Sequence, residues 1–110
     1  MKSRTQRVNA CLSHLKKRIP GSVRTDAYER ALYATDASIY QVDPLAVVVP
    51  QHRDEIQAVV EAAAEFRVPV TARSGGTSLA GQAVGESIVV DFTKHLNRIG
   101  EIDEDKRTVH

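Results

Sequence analysis

The sequence predicts an α+β domain built around a small strand–helix–strand unit, and three stretches carry that reading. Ala46-Val47-Val48-Val49 is a continuous apolar run closed by Pro50, the pattern of a strand covered on both faces. Ile56, Val59, Val60 and Ala63 follow at i, i+3, i+4 and i+7, which lines one face of a helix reaching about Phe66. Val68 to Ala72 is a second strand-like stretch, and it runs directly into a loop rich in glycine. Strand, helix and strand with short connections make a βαβ unit, whose two strands are expected to be parallel and its crossover right-handed.

The flanking elements can be taken in order. A first helix covers about residues 3–18, with Val8, Leu12, Leu15 and Ile19 on one face and the breaker pair Pro20-Gly21 at its end. The first 25 residues hold seven basic side chains and no acidic one. Such a helix suits either the surface of the fold or a basic face for a membrane or an acidic partner. The spacing of its apolar positions favours the first. Residues 1–21 read as this basic amphipathic helix and residues 22–110 as the rest of the domain. Val23-Arg24-Thr25 reads as a short strand, Asp26 as the cap of a helical turn through Tyr33, and Asp36-Ala37-Ser38 as a loop. Arg53-Asp54-Glu55 places acids in the first turn of the central helix, where they complement its dipole. Ile88-Val89-Val90-Asp91 reads as a further buried strand, with more strand expected at Leu96 to Ile99 and from Thr108 onward. The acidic run Glu101 to Asp105 reads as a solvated turn, since it lacks the glycine and distal glutamate of a calcium loop.

The loop Arg73-Ser74-Gly75-Gly76-Thr77-Ser78-Leu79-Ala80-Gly81-Gln82 is the most informative segment. Four of the six glycines (Gly75, Gly76, Gly81 and Gly85) fall within eleven positions. Glycine admits positive φ and lets a ligand approach the peptide groups, while Ser74, Thr77, Ser78 and Arg73 add donors. A strand leading into such a loop presents peptide N–H groups to an anion at the carboxyl end of the strand, where Pro50 also falls. The bland alternative is a purely structural glycine turn. Gly76 and Gly81 have the G-x-x-x-x-G spacing of a P-loop, but Gln82 stands where the lysine belongs and Ala83 where a hydroxyl should bind magnesium. The dinucleotide pattern G-x-G-x-x-G is absent, because Gly75 and Gly76 are adjacent. Gly76-Thr77-Ser78-Leu79-Ala80 approaches a nucleophile elbow, yet its last position is alanine and only His95 and His110 lie downstream. The loop reads as an anion cradle.

Composition excludes several other functions. The 110 residues make one small domain or part of a larger one, with 42% apolar residues and a net charge of +1. Aromatic residues are 5% of the chain, too few for a nucleic-acid stacking platform. His14, His52, His95 and His110 are scattered, and no cluster has metal-ligand spacing. The lone Cys11 permits no internal disulfide, which fits a reducing compartment and a cytoplasmic location. No apolar run approaches the roughly 20 residues that span a bilayer. The chain stops at Lys106-Arg107-Thr108-Val109-His110 just as a strand pattern starts, so a fragment of a longer protein is expected.

The pattern Tyr33-x-x-Asp36-x-Ser38-x-Tyr40, then Val47-Val48-Val49-Pro50, then Pro69-Val70-Thr71-Ala72-Arg73-Ser74-Gly75-Gly76-Thr77-Ser78-x-x-Gly81, resembles the N-terminal FAD-binding region of FAD-linked oxidases of the vanillyl-alcohol oxidase and p-cresol methylhydroxylase type. Within that family it is most similar to the group of D-lactate dehydrogenase, the glycolate oxidase flavin subunit and D-2-hydroxyglutarate dehydrogenase. The resemblance spans about residues 22–110. It implies the first of two subdomains of an FAD-binding domain, with the start of the second. It further implies that Ser74, Gly75, Gly76, Thr77, Ser78, Gly81 and Gln82 hold the FAD pyrophosphate, with Arg73 and Pro50 close to the cofactor. Some relatives carry a histidine after the paired glycines that bonds covalently to the flavin; here the residue is Thr77, so FAD is expected to be held non-covalently. The implied reaction passes a hydride from a small 2-hydroxy acid to the flavin, with the substrate-binding and proton-accepting groups in a later domain. No catalytic or metal-binding residue is therefore assigned here, and an iron–sulfur module elsewhere in the protein is compatible with the family. The alternative function is a non-catalytic interaction module whose basic helix docks on a membrane or an acidic partner.

Overall fold

The structure, a computed structural model, describes every residue except Met1, Lys2, Ile39, Ala80 and Ala83. Helix α1 (Arg4–Arg18) opens with a reciprocal cap. The Ser3 hydroxyl accepts from the Gln6 N–H at 3.2 Å, and the Gln6 side chain accepts from the Ser3 N–H at 2.9 Å. Lys16, Lys17 and Arg18 occupy its last turn, facing the negative end of the dipole. The chain then turns through Gly21 at φ +85° into strand β1 (Val23–Arg24) and helix α2 (Ala27–Leu32), capped by the Asp26 carboxylate on the Glu29 N–H. Strand β2 (Ala46–Val48) leads to helix α3 (Arg53–Phe66), which ends on Arg67 in the left-handed conformation at φ 56°. Strands β3 (Val70–Arg73) and β4 (Ile88–Asp91) flank the glycine loop, and β5 (Ile102–Asp103) pairs with β6 (Thr108–Val109) as a separate hairpin.

The main sheet has the order β1-β2-β4-β3. β2, β4 and β3 are parallel, and β1 is antiparallel at one edge. The two strands of the expected βαβ unit are thus parallel but not neighbours, because β4 inserts between them. That insertion has a physical cause. Ile88, Val89, Val90 and Asp91 are all buried, which suits an interior strand, whereas β3 alternates exposed and half-buried residues as an edge strand does. Leu96 to Ile99, expected as strand, has no regular structure. The acidic run does not form a turn alone: Ile102 and Asp103 are in β5, and the turn follows them.

The core lies where α1 and α3 meet the sheet. Cys11, Leu15 and Ile19 from α1 join Ala58, Val59 and Ala62 from α3 over Val48, Ile88 and Val90, with Val8 and Leu12 packed at the margin. The apolar face of the basic helix is therefore buried inside the chain. Val47 and Val89 point to the opposite face of the sheet and are fully buried too, so that face is also covered. Among the described residues, no helix is long and apolar enough to cross a membrane.

Candidate functional site

Because β2, β3 and β4 are parallel, their carboxyl ends share one edge of the sheet, and the glycine loop leaves from that edge. The last rung of β3 is a bond from the Phe92 N–H to the Arg73 carbonyl at 3.0 Å. Beyond it the chain turns at Gly76 (φ +68°) and Gly81 (φ +74°). These are the two positions where glycine is required. A β-carbon on Gly76 would stand 2.5 Å from a guanidinium nitrogen of Arg73, and one on Gly81 would stand 2.7 Å from the Tyr40 ring. Gly85 has a different use: a β-carbon there would press on the Thr71 and Ser87 hydroxyls, which are bonded to each other at 2.6 Å.

The segment from Tyr33 to Tyr40 braces the loop at three points. The Arg73 guanidinium lies over the Tyr33 ring, 5.3 Å from its centroid, and donates to the Tyr33 carbonyl at 3.4 Å. The Ala37 N–H donates to the Gly76 carbonyl at 3.0 Å. Tyr40 packs against Gly81. The bracing segment is itself closed. Thr35 bridges Gln41, Asp36 accepts from the Ser38 N–H and hydroxyl, and the Ser38 hydroxyl accepts from the Tyr40 N–H at 3.1 Å. Each residue of the Tyr33-x-x-Asp36-x-Ser38-x-Tyr40 pattern thus shapes this brace.

Beneath the loop sits a buried carboxylate that the sequence reading placed only in a strand. Asp91 is 3% exposed and lies beside Arg73 in the strand register. Its Oδ2 accepts from the Tyr33 hydroxyl, and its Oδ1 accepts from the Thr93 N–H (2.8 Å) and hydroxyl (2.7 Å). Burial opposes the charge of Asp91, but the donors from Thr93 and Tyr33 prevail and hold its carboxyl below the usual range. Burial, and then the bond to Asp91, push the Tyr33 phenol up to about 12. A polar residue closing an otherwise apolar buried run was the one signal for this group.

The remaining site residues sort by exposure. Ser74, Gly75, Thr77 and Gln82 are exposed, and Arg73, Gly76, Ser78 and Gly81 are half-buried, so the outer side of the loop is open to a ligand. The Ser78 hydroxyl and Gln82 pair with each other at 3.2 Å, through both the Gln82 N–H and its side-chain oxygen. Pro50 is fully buried and follows β2, two strands from β3 and therefore about 10 Å across the sheet. It shares the carboxyl edge with the loop, not the contacts of the loop. The arrangement offers peptide N–H groups and one fixed cation to an anion. The space that a side chain on Gly76 would fill is taken by the Arg73 guanidinium, which sets that charge against the turn.

Comparison with known proteins shows the family and the fold. A family model described as FAD binding domain matches residues 44–110. D-2-hydroxyglutarate dehydrogenase of Pseudomonas putida is 40% identical over 92 residues, which covers 81% of this chain and 9% of that protein. Glycolate oxidase subunit GlcD of Bacillus subtilis is 41% identical over 81 residues, covering 72% of this chain and 17% of that protein. The chain spans between 9% and 17% of these two relatives. Among solved structures, p-cresol methylhydroxylase with substrate bound superposes with a TM-score of 0.74 at 19% identity, over 92% of this chain and 21% of that one. Alkyldihydroxyacetonephosphate synthase gives 0.70 at 18% identity, over 91% and 22%. At such identities the two structures establish the fold.

Proposed function

The chain belongs to the FAD-binding domain family, and from that premise we propose that its Arg73–Gln82 loop holds the pyrophosphate of FAD in a flavin-dependent dehydrogenase of small 2-hydroxy acids. The observation that carries the site is the construction of the loop. Two left-handed glycines open its backbone, and a guanidinium is seated over the first of them. The substrate class rests on the relatives, whose names specify D-2-hydroxyglutarate and glycolate. Both compounds are 2-hydroxy acids.

The work of this segment is binding and orientation. Peptide groups of residues 74–78 donate to phosphate oxygens, and Arg73 supplies the charge that these neutral donors lack. Bound flavin supplies the two-electron acceptor for the α-hydrogen of the substrate. Thr77 has no imidazole with which to tether the cofactor, so the flavin is held by non-covalent contacts at this loop. The interaction-module alternative has only the exposed basic side chains of α1 to use, since its apolar face is committed to the core.

The test is made on the whole protein. It should purify yellow, and acid precipitation should release the flavin into the supernatant and leave the polypeptide colourless. A preparation that carries no flavin, and does not quench FAD fluorescence on titration, would overturn the proposal. Flavin that stays with the acid-precipitated chain would overturn its non-covalent part.

A further inference from the structure

We propose that Tyr33 is the positioning residue of this site: its ring and carbonyl seat the Arg73 guanidinium over the glycine turn, and Asp91 anchors the ring. The inference rests on reading the loop as the pyrophosphate site and adds to it a device outside the loop. An arginine side chain loses roughly 2 kcal/mol of rotamer freedom when it is fixed. If that ordering occurred only on binding, it would subtract from the affinity. Here the ordering is built into the fold. The guanidinium is stacked 5.3 Å from the ring centroid, bonded to the Tyr33 carbonyl, and seated in the space that the missing side chain of Gly76 leaves.

The ring needs its own anchor, and the structure supplies one. Tyr33 follows the short helix α2, whose residues include none that is buried, so local packing there is weak. Its hydroxyl instead reaches Asp91 at the end of β4, an interior strand of the sheet. Thr93 occupies the other carboxylate oxygen through two bonds, so the Asp91 side chain is held from both sides. A path of contacts therefore runs from the core strand through Asp91 and Tyr33 to Arg73 and the loop. Tyrosine suits the position because one side chain offers a cation-binding face and a hydroxyl long enough to reach the sheet.

The experiment is a double-mutant cycle on the deflavinated whole protein, read as the dissociation constant for FAD by fluorescence quenching. Arg73→Gln should weaken binding about thirtyfold, as expected for a lost charged hydrogen bond to phosphate. Tyr33→Leu should weaken it about tenfold in the wild-type background and less than about twofold in the Arg73→Gln background. Two further variants separate positioning from mere structure. Tyr33→Phe keeps the ring but loses the bond to Asp91, and should fall between wild type and Tyr33→Leu, about threefold weaker than wild type. Arg73→Lys keeps the charge but loses the forked guanidinium that reaches both the Tyr33 ring and its carbonyl, and should lose about tenfold. It serves as the deciding variant if Tyr33→Leu does not fold. An equal penalty for Tyr33→Leu in both backgrounds would overturn the proposal, as would Arg73→Lys binding like wild type. If Arg73→Gln weakens FAD while Tyr33→Leu binds like wild type, the positioning role falls and the site stands. If Arg73→Gln binds like wild type, both fall.

Discussion

Gly75 and Gly76 are adjacent and chemically identical, yet alanine should be tolerated at the first and not at the second. At Gly76 two costs add. Its φ of +68° lies in the left-handed region, where a β-carbon costs about 1–2 kcal/mol. The new methyl would also sit 2.5 Å from one guanidinium nitrogen of Arg73 and 2.9 Å from its central carbon. Those atoms end a flexible side chain, so the guanidinium swings away instead of forcing the backbone to move. What is lost is its seat on Tyr33, worth about 0.5–1 kcal/mol for a partly exposed cation–π pair. The sum is about 2 kcal/mol, or about thirtyfold in an equilibrium constant.

Where that cost is felt depends on the loop without cofactor. If the turn relaxes in the apoprotein, the cost falls on FAD affinity. If it keeps its shape, the strain falls on stability and only the loss of the guanidinium reaches affinity. Both are therefore measured: the FAD dissociation constant by fluorescence titration, and the urea midpoint of the apoprotein. Gly75→Ala is the control. Its φ is not positive, and its nearest new contact is the Thr77 methyl at an ordinary 3.6 Å, so the fold should accept it and the urea midpoint should stay near wild type. Identical behaviour of the two variants in both assays would refute the reasoning, because they differ only in φ and in the neighbour of the β-carbon.

Three other outcomes are expected. Asp91 has a lowered pKa in the fold, so its contribution to stability is present above the ordinary carboxylate range and is lost as pH falls through the depressed folded value; Asp91→Asn should remove that component from the acid limb of a urea-midpoint profile. Ile88→Ala, at a fully buried position in an interior strand, should cost about 2–5 kcal/mol of unfolding free energy, measured by urea denaturation. Burial, and secondarily the charge of Glu65, raise the Cys11 thiol, so a disulfide reagent should react with it slowly in the native protein and rapidly in denaturant.

Much of the architecture was legible because local pattern and global fold agree. The apolar run Ala46–Val49, the periodicity of α3 and the cap at Asp26 all formed the elements they imply. Strand order was not legible, since the pairing of β4 between β2 and β3 depends on which strand gains more from burial on both faces. Val70 and Ala72 are exposed in β3, where Thr71 and Arg73 interrupt the kind of apolar run that β2 and β4 keep. The loop was visible from its glycines alone. Its brace was not: Tyr33 contacts Arg73 from forty positions away, and no local periodicity encodes that distance. Asp91 was missed for a related reason. Its strand was read from the apolar run, but the hydroxyl that makes the carboxylate part of the site arrives from fifty-eight positions away.

The brace also explains how such a loop can serve an anion without the usual electrostatic aids. In a P-loop the phosphate meets a helix N-terminus and a lysine. The described residues between Gly81 and Ile88 contain no helix, and Gln82 stands in place of the lysine. The peptide N–H groups that remain are neutral donors, so the nearest fixed positive charge in this loop is Arg73 at the strand end. A charge on a long side chain helps only when it is held where the anion arrives. Tyr33, Asp91 and the open space at Gly76 together provide that constraint, using groups from β4, the end of α2 and the loop itself. On this view the glycines and the tyrosine pattern are two halves of one device, because the first leaves room for a guanidinium that the second holds in place.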